Sequence, residues 1–600
     1  MPFPDVVSSV IIMDSIIEGW KIQLQKQLEI EQNEIISKEK GLNIEFIGSS
    51  TGLAGRCIVQ LQKVNVFSNW EFRNGDIAQL VQAEKTAVVY KVTEKYLYLA
   101  FEDEIEFVRD KILKLPNTIV YKRLNKLFDH LLSKKEESLY QVCFNGRDPL
   151  FIDLEIDFLD DSLNDLQKLA VKKSLKSLDI HMIHGPPGTG KTCTLIEIIR
   201  QLLAKNKSIL VCGPSNISVD NIVERLSAKQ IPCLRIGHPA RLLPSVQDKA
   251  LEYIVDYCTH GGEVLYDIKQ EIDSLLKKVH SKSGKEKYEI YKQVRILRKE
   301  FNLRERKVVS ETCRSHLIHC STLTNAMNRN LNKEYDVVIV DEVAQSIEPE
   351  VWLALSKANK AIIAGDPFQL PPVVKSKPNK LANLEISIME RLFKINNICT
   401  MLTTQYRMNK YINEFPNKFL YHDKLVAHPS CAMKMITDYD GVTKCYDLQY
   451  PVIFYDNLQS SPEYEDEGKS KYNDGELENI KTLIEELIAY NIPQTFIGII
   501  AAYNAQVSRL KSIIPYSDIE INTVDGYQGR EKEVIIISTV KCNSDHDVGF
   551  LTETRRMNVA ISRAKHLLIL FGDSETLERH QFLHNMVEWA SQYDVRYFSE

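Results

Sequence analysis

The sequence lacks three features that would assign it to a special class. None of its apolar runs reaches the roughly 18 to 20 residues that a membrane-spanning helix requires. Its 12 cysteines include no C-x-x-C pair, which predicts reduced thiols rather than disulfides or a zinc site. Neither charge sign dominates, because 75 lysine and arginine residues face 81 aspartate and glutamate residues. We therefore expect a soluble intracellular protein, without membrane contact, in which any surface for a polyanion is a local basic groove.

What the chain does have is length, since its 600 residues, 44% of them hydrophobic, can bury several large cores. In 1–150, apolar side chains recur at helical spacing in 11–38 and 121–135. Between these two stretches apolar residues alternate with other residues, as at Val59 and Leu61. A small β-barrel flanked by two helices explains this pattern, and a β-sandwich explains the alternation equally well.

Two series of predicted strands follow, each interspersed with helical stretches, which is typical of parallel α/β sheets. The first series is Ile180–His184, Ile209–Cys212, Val337–Val340 and Ala361–Ala364, and the second is Val452–Tyr455, Phe496–Ile500, Ile519–Val524, Val534–Val540 and Leu567–Phe571. A charge-rich helical segment at about 250–312 interrupts the first series, and its charges fit a solvated face and a nucleic-acid contact equally well. We place the domains at 1–150, 151–395 and 396–600.

A glycine-rich loop after the first of these strands carries the strongest chemical signal. It has the pattern G-x4-G-K-T between an apolar strand and a helix, which predicts a phosphate-binding loop. The glycines let backbone N–H groups point at phosphates, Lys191 adds a positive charge, and Thr192 offers a hydroxyl to Mg²⁺. The predicted nucleotide-binding residues are Gly185, Pro186, Pro187, Gly188, Thr189, Gly190, Lys191 and Thr192. A kinase, a GTPase and a motor all remain compatible with this loop.

Two adjacent carboxylates follow the strand Val337–Val340. Beside a bound triphosphate, Asp341 is suited to hold Mg²⁺ and Glu342 to orient or deprotonate the attacking water. A strand that ends in Asp-Glu is also common at an ordinary sheet edge. The functional interpretation therefore depends on the phosphate-binding loop.

Three further polar residues favour a motor. Gln369, in the segment after the strand Ala361–Ala364, is a candidate sensor of the γ-phosphate. Arg407 and Arg563 lie near the start and the end of the second α/β domain. Arginines that reach across from a second domain can stabilise the charge that develops during phosphoryl transfer.

In order and spacing these motifs resemble those of superfamily 1 helicases, over nearly the whole chain. The segments Leu163–Gln167, Gly213–Asp220 and Val524–Glu531 are similar to the branch that contains the nonsense-mediated decay RNA helicase, immunoglobulin mu-binding protein 2 and DNA polymerase alpha-associated DNA helicase A. The resemblance implies an α/β fold of two tandem RecA-like P-loop domains, with an N-terminal β-barrel on a helical stalk and a helical insertion in the first RecA-like domain.

The resemblance also implies roles for individual residues. Gln167 would read the adenine edge, Tyr406 would lie against the base, and Glu531 would contact the ribose. Arg407 and Arg563 would be the arginine fingers. Nucleic-acid contacts, mainly to phosphate and sugar, are implied at Pro214, Ser215, Asn216, Ser321, Thr322, Tyr503, Gln506, Val524 and Gln528.

The residues and the resemblance together predict an ATP-dependent helicase or translocase that uses ATP and Mg²⁺ and acts on single-stranded DNA, RNA or both. The 5′→3′ direction follows from the resemblance alone. The alternative is an ATP-dependent nucleic-acid clamp or ribonucleoprotein scaffold with little unwinding activity. We expect a monomer in the nucleus, the cytoplasm or both. The sequence does not identify protein partners, and the resemblance is compatible with replication or RNA-processing machinery.

Overall fold

The structure is a computed structural model. It describes residues 13–38, 41–51, 57–64, 70, 72, 74–93, 95–101, 105, 108–115, 118–134, 137–238, 241–279, 284–376, 383–457, 462–466 and 468–597. Among these residues, no helix is both long enough and apolar enough to cross a membrane.

Six antiparallel strands close into a barrel in the N-terminal region, in the order β1-β2-β5-β4-β3-β6. The strands are β1 (Leu42–Thr51), β2 (Cys57–Lys63), β3 (Ile77–Leu80), β4 (Lys85–Val92), β5 (Tyr96–Phe101) and β6 (Arg109–Leu115). The alternating residues Val59, Leu61, Leu97 and Leu99 are fully buried inside it. Because β1 pairs with both β2 and β6, the barrel prediction is confirmed and the sandwich alternative is wrong.

Helices before and after the barrel pack together. They are α1 (Met13–Lys38), α2 (Thr118–Ser133) and α3 (Ser138–Asn145). The Trp20 ring centroid of α1 lies 6.2 Å from that of Phe128 and 6.1 Å from that of Phe144. Phe144 in turn stacks on Trp352 of the first α/β unit at 4.9 Å. An aromatic core therefore anchors the helices on that unit.

The first α/β unit has a seven-stranded parallel sheet in the order β13-β7-β12-β11-β8-β10-β9. Its elements are α4 (Asp165–Lys176), β7 (Ile180–His184), α5 (Lys191–Ala204), β8 (Ile209–Gly213), α6 (Asn216–Ala228), β9 (Leu234–Ile236), α7 (Leu251–Tyr257), α8 (His260–Val279), α9 (Gly284–Ser315), β10 (Ile318–Thr322), β11 (Val337–Val340), α10 (Glu348–Leu355), β12 (Ala361–Gly365), α11 (Ile388–Leu392) and β13 (Cys399–Met401). The four predicted strands are contiguous within it, in the order β7-β12-β11-β8. The strand β13 pairs with β7, so this sheet extends beyond the boundary at 395.

The second α/β unit has a six-stranded parallel sheet in the order β20-β19-β21-β22-β16-β23. This half of the chain contains β14 (Thr404–Gln405), α12 (Lys410–Phe419), β15 (Val426–Ala427), α13 (Pro429–Ala432), β16 (Val452–Asp456), β17 (Tyr464–Glu465), β18 (Lys471–Tyr472), α14 (Asp474–Ala489), β19 (Ile497–Ala501), α15 (Asn504–Ile513), β20 (Glu520–Thr523), β21 (Lys532–Ser538), α16 (Thr554–Ile561), β22 (Ala564–Gly572), α17 (Ser574–Leu577), α18 (Gln581–Ala590) and β23 (Val595–Tyr597). The five predicted strands form most of this sheet.

The carboxyl ends of the first sheet's strands gather the polar segments. The glycine-rich loop follows β7, the acid pair follows β11, and Asp366 follows β12. In parallel α/β sheets, ligands bind at this edge because loops and helix N-termini converge there.

Candidate active site

The glycine-rich loop from Gly185 to Thr192 curls tightly between β7 and α5. Gly188 and Gly190 have φ angles of +72° and +80°, a region that side-chain-bearing residues rarely adopt. The Thr189 hydroxyl donates a hydrogen bond to the Pro186 carbonyl at 2.7 Å, which closes the turn. The loop thus leads directly into the N-terminus of α5, where free N–H groups favour anions.

Lys191 lies between the two carboxylates of the acid pair. Its Nζ is 3.2 Å from Asp341 Oδ1 and 2.5 Å from Glu342 Oε1. Glu342 has a φ of +53°, and its second oxygen accepts a hydrogen bond from Gln345 Nε2 at 2.7 Å. Lys191 and both acids, which lie about 150 positions apart in the sequence, therefore form one cluster.

Burial and the neighbouring charges shift the pKa values of this cluster in opposite directions. Burial alone would lower the pKa of Lys191, but Asp341 and Glu342 raise that pKa above its ordinary value. Burial raises the pKa of Asp341, and the Lys191 ammonium partly offsets this. The lysine therefore stays charged, and a phosphate that drew it away would leave two close carboxylates suited to a cation.

The two predicted arginine fingers lie close to each other, and Arg563 also lies near Glu342 of the acid pair. Arg407 pairs with Glu531 and donates from Nη1 to the Ser562 carbonyl at 3.1 Å. Burial and the charge of Arg407 lower the pKa of Arg563 to about 10, while Glu342 and Glu531 act in the opposite sense. The Nε atoms of Arg407 and Arg563 are buried and donate no hydrogen bond within the described part of the chain.

Residues predicted to contact the nucleotide base surround the loop. Gln167 donates from Nε2 to the Thr189 carbonyl at 3.0 Å and accepts from the Asn164 backbone at 2.9 Å. Asn164 Nδ2 donates to the Tyr406 hydroxyl at 2.9 Å. Gln167 is buried, whereas Tyr406 is 38% exposed. In this arrangement Gln167 supports the loop. The partly exposed Tyr406 ring lies beside the loop, with its centroid 4.6 Å from that of His428.

Gln369 is held by an aspartate that the sequence analysis did not single out. Gln369 Nε2 donates to Asp366 Oδ2 at 2.8 Å, and the same oxygen accepts from the Tyr421 hydroxyl at 2.6 Å. Asn558 joins this group through Tyr421. Asp366 and Asn558 lie inside segments that carry the motifs, but nothing in the sequence pattern indicates Tyr421.

The predicted nucleic-acid contacts of the first unit meet at one edge of its sheet. Thr322 of β10 pairs with Gly213 of β8, which places Pro214, Ser215 and Asn216 beside Ser321 and Thr322. Ser321 is fully buried, and its hydroxyl contacts Cys212 Sγ at 3.6 Å. The Ser321 side chain is therefore not accessible to nucleic acid at the surface.

The predicted contacts of the second unit differ in exposure. Gln528 is partly exposed, whereas Tyr503 and Val524 are buried. Gln506 is fully buried, and its amide bonds the Asn473 backbone at 3.0 Å and the Ser538 hydroxyl at 3.1 Å. Gln506 therefore holds loops of the second sheet together and does not present its side chain at the surface.

Comparison with known proteins identifies the family to which this chain belongs. Two family models, each described as an AAA domain, match residues 162–377 and 384–575. DNA polymerase alpha-associated DNA helicase A of Saccharomyces cerevisiae is 38% identical over 572 residues, which are 86% of this chain and 83% of that protein. The protein of the same name from Schizosaccharomyces pombe is 35% identical, over 93% of this chain and 91% of its own length. The chain belongs to the superfamily 1 helicases.

This helicase also resembles a longer protein. DNA-binding protein SMUBP-2 of Rattus norvegicus is 34% identical over 92% of this chain, which spans 59% of the length of that relative. Membership of the family, together with the two α/β units, makes the chain an ATP-hydrolysing nucleic-acid helicase with tandem RecA-like domains. The predicted family and activity are thereby confirmed.

Proposed function

We propose that this helicase hydrolyses ATP in the cleft between its two sheets and uses the energy to move 5′→3′ along single-stranded nucleic acid and unwind duplexes. The observation that supports this most directly is the meeting of the two halves at the glycine-rich loop. There Lys191 pairs with Asp341 and Glu342, Arg407 lies against Gly188, and the charge of Glu342 acts on Arg563. Two walls from different halves of the chain allow closure and opening of the cleft to be coupled to the nucleotide.

In the proposed mechanism, the Lys191 ammonium leaves the acid pair and pairs with the phosphates of ATP. Glu342, released from the lysine, orients the attacking water and accepts its proton. Arg407 and Arg563 stabilise the negative charge that develops on the transferred phosphoryl group. The buried Nε atoms of both arginines, which have no partner among the described residues, are available for this.

Thr192 and Asp341 are the proposed Mg²⁺ ligands, directly or through water. Oxygen donors of this kind suit Mg²⁺, and Asp341 lies 3.2 Å from the lysine that the phosphates would attract. Bound there, Mg²⁺ would neutralise charge on the β- and γ-phosphates.

We further propose that single-stranded nucleic acid crosses the edge of the first sheet at Ser215, Asn216 and Thr322 and continues to Gln528. A Cβ at Gly529 would lie 3.2 Å from Asn221 Nδ2 of α6, which shows how closely the two units approach there. Polar side chains and helix N-termini along such an edge favour phosphate and sugar contacts. One relative is named a DNA helicase and another a DNA-binding protein, and backbone contacts suit DNA and RNA alike.

The remaining domain assignments belong to the same proposal. Helices α1 and α2 would form the stalk of the barrel, and α7 to α9 the helical insertion of the first RecA-like domain. The boundary between the RecA-like domains would lie after β13, because that strand pairs within the first sheet.

Strand displacement on tailed duplexes tests the proposal. Matched DNA and RNA duplexes with either a 5′ or a 3′ single-stranded tail are incubated with the full chain and ATP, and ATP hydrolysis is measured with and without single strands. We expect hydrolysis to rise at least about tenfold with single strands and displacement to require a 5′ tail. Lys191→Ala serves as the control and should be inactive in both assays.

Each other outcome identifies a different error. Displacement from 3′ tails alone would reverse the direction. Stimulated hydrolysis without displacement from either tail would favour the clamp or scaffold. Hydrolysis that does not respond to single strands would contradict the motor.

A further inference from the structure

Four buried polar side chains connect the two halves of the helicase behind Gln369. His184 ends β7 and Asp366 follows β12, both in the first sheet. Tyr421 follows α12, and Asn558 lies on α16, both in the second half. Each of the four is at most 5% exposed. We call His184, Asp366, Tyr421 and Asn558 the interdomain network.

Asp366 is the centre of this network. Its Oδ2 accepts hydrogen bonds from the Tyr421 hydroxyl at 2.6 Å and from Gln369 Nε2 at 2.8 Å. Its Oδ1 lies 3.1 Å from His184 Nε2 and accepts from the Phe368 backbone N–H at 3.1 Å. Burial would raise the pKa of Asp366, but the hydrogen bond from His184 and those from Tyr421 and Gln369 hold that pKa below its ordinary value. Asp366 is therefore ionised, and His184 Nε2 is a donor.

Tyr421 and Asn558 pack against and hydrogen-bond to the turn that carries Gln369. Asn558 Nδ2 donates to the Tyr421 hydroxyl at 2.9 Å and to the Phe368 carbonyl at 2.7 Å. The Tyr421 ring packs edge-on against Phe368, with centroids 5.5 Å apart. The second half of the chain thus holds both the side chain of Asp366 and the backbone of Phe368.

Both ends of the network lead to residues of the proposed active site. Gln369 is three residues after Asp366 and is bonded to it directly. Arg563 is two residues beyond the end of α16, the helix that bears Asn558. A phenylalanine at 421 would fill the same space without the cost of desolvating a hydroxyl, so packing alone does not account for this residue.

We propose that Tyr421 is a positioning residue for ATP hydrolysis, which joins the Asp366–Gln369 turn to α16 so that Gln369 and Arg563 reach the nucleotide together. This inference rests on the proposed function in that it assumes hydrolysis in the cleft. It does not depend on the direction of movement or on unwinding. Failure to displace strands would therefore overturn the proposed function and leave this inference testable.

Tyr421→Phe tests the inference, because it removes one hydroxyl and keeps the ring. We expect kcat for ATP with saturating single strands to fall about tenfold, the effect of losing a buried hydrogen bond to a charged group. The KM for ATP and the affinity for single strands should stay within about twofold, since no network residue is proposed to bind either ligand.

Tyr490→Phe is the matched control. The Tyr490 hydroxyl donates to Asp447 Oδ2 at 2.7 Å, so the substitution also removes a tyrosine–aspartate bond in the second half of the chain. We expect it to leave kcat unchanged. Equal losses of kcat in the two variants would show a general effect of the lost bond and would overturn the proposal.

A double substitution distinguishes a positioning role of Tyr421 from a structural role. If Tyr421 acts through Gln369, Tyr421→Phe should lower kcat by less than about twofold in a Gln369→Ala chain. A tenfold loss in that background, or a kcat within about twofold of the unmodified chain for Tyr421→Phe alone, would contradict the inference.

Discussion

Gly188 of the glycine-rich loop lies directly against Arg407 of the second half of the chain. A Cβ at Gly188 would lie 2.6 Å from Arg407 Cβ, and the Gly188 carbonyl accepts a hydrogen bond from the Tyr406 N–H at 2.8 Å. The glycine thus serves two purposes, since it permits the backbone turn and lets the arginine segment approach the loop.

Gly188→Ala should therefore reduce activity through the lost approach. We expect kcat for ATP to fall at least about tenfold, because the new methyl group displaces Arg407. Gly146→Ala is the control, since Gly146 has a similar φ of +71° but no atom within 4 Å of the added Cβ. Both substitutions place a side chain at a positive φ, so both should lower the unfolding temperature. An equal loss of kcat in both variants would refute the steric explanation.

Glu342→Gln should separate ATP binding from hydrolysis. The amide still fits beside Lys191, so the affinity for a non-hydrolysable ATP analogue should change by less than about threefold. It cannot accept the proton of the attacking water, so kcat should fall by about 100-fold or more. Glu334→Gln, at an exposed position of the same unit, should have no effect. Unchanged turnover of Glu342→Gln would show that Glu342 does not activate the attacking water.

Arg563→Ala should act on the chemical step. We expect kcat to fall by about 1,000-fold, with ATP affinity changed by less than about tenfold, because the guanidinium is needed mainly in the transition state. Arg596 lies on the edge strand β23 and pairs with Asp594, and Arg596→Ala should leave kcat unchanged. Single-turnover hydrolysis measures the effect, and a kcat within twofold of the unmodified chain would rule out the finger.

Stability should depend on pH through Glu476, which is fully buried in the second unit. Burial raises the pKa of Glu476 from 4.5 to about 7, although hydrogen bonds from Ser538, Val540 and Asn457 oppose this. The folded chain therefore binds this proton more tightly than the unfolded chain does. The free energy of unfolding should decrease as pH rises from about 4.5 to 7, by up to about 3 kcal/mol.

Glu476→Gln should remove this contribution. Denaturant titrations at pH 5 and pH 8 measure the difference in unfolding free energy for both proteins. The decrease between the two pH values should be smaller in the variant, and parallel behaviour would mean that Glu476 is ionised throughout.

The central strands were predictable because their pattern is local. Val337–Val340 is apolar at every position, and all four residues are buried because strands flank β11 on both sides and helices cover both faces. The alternation in β2 and β5 similarly indicated one inward face. The three-residue strands β9 and β13 were missed, since so short a run has no period of its own and only pairing defines it.

The residue pattern alone predicts the candidate catalytic groups, namely the glycine-rich loop with Lys191, the acid pair and the arginines, because this prediction depends on residue types at fixed short spacings. Only the tertiary structure decided which of them meet. Tyr421 reaches Asp366 across 55 positions, and Arg407 reaches Ser562 across 155. It also decided that Ser321 and Gln506 are buried, because burial depends on the neighbours that distant segments supply, and no local pattern contains that information.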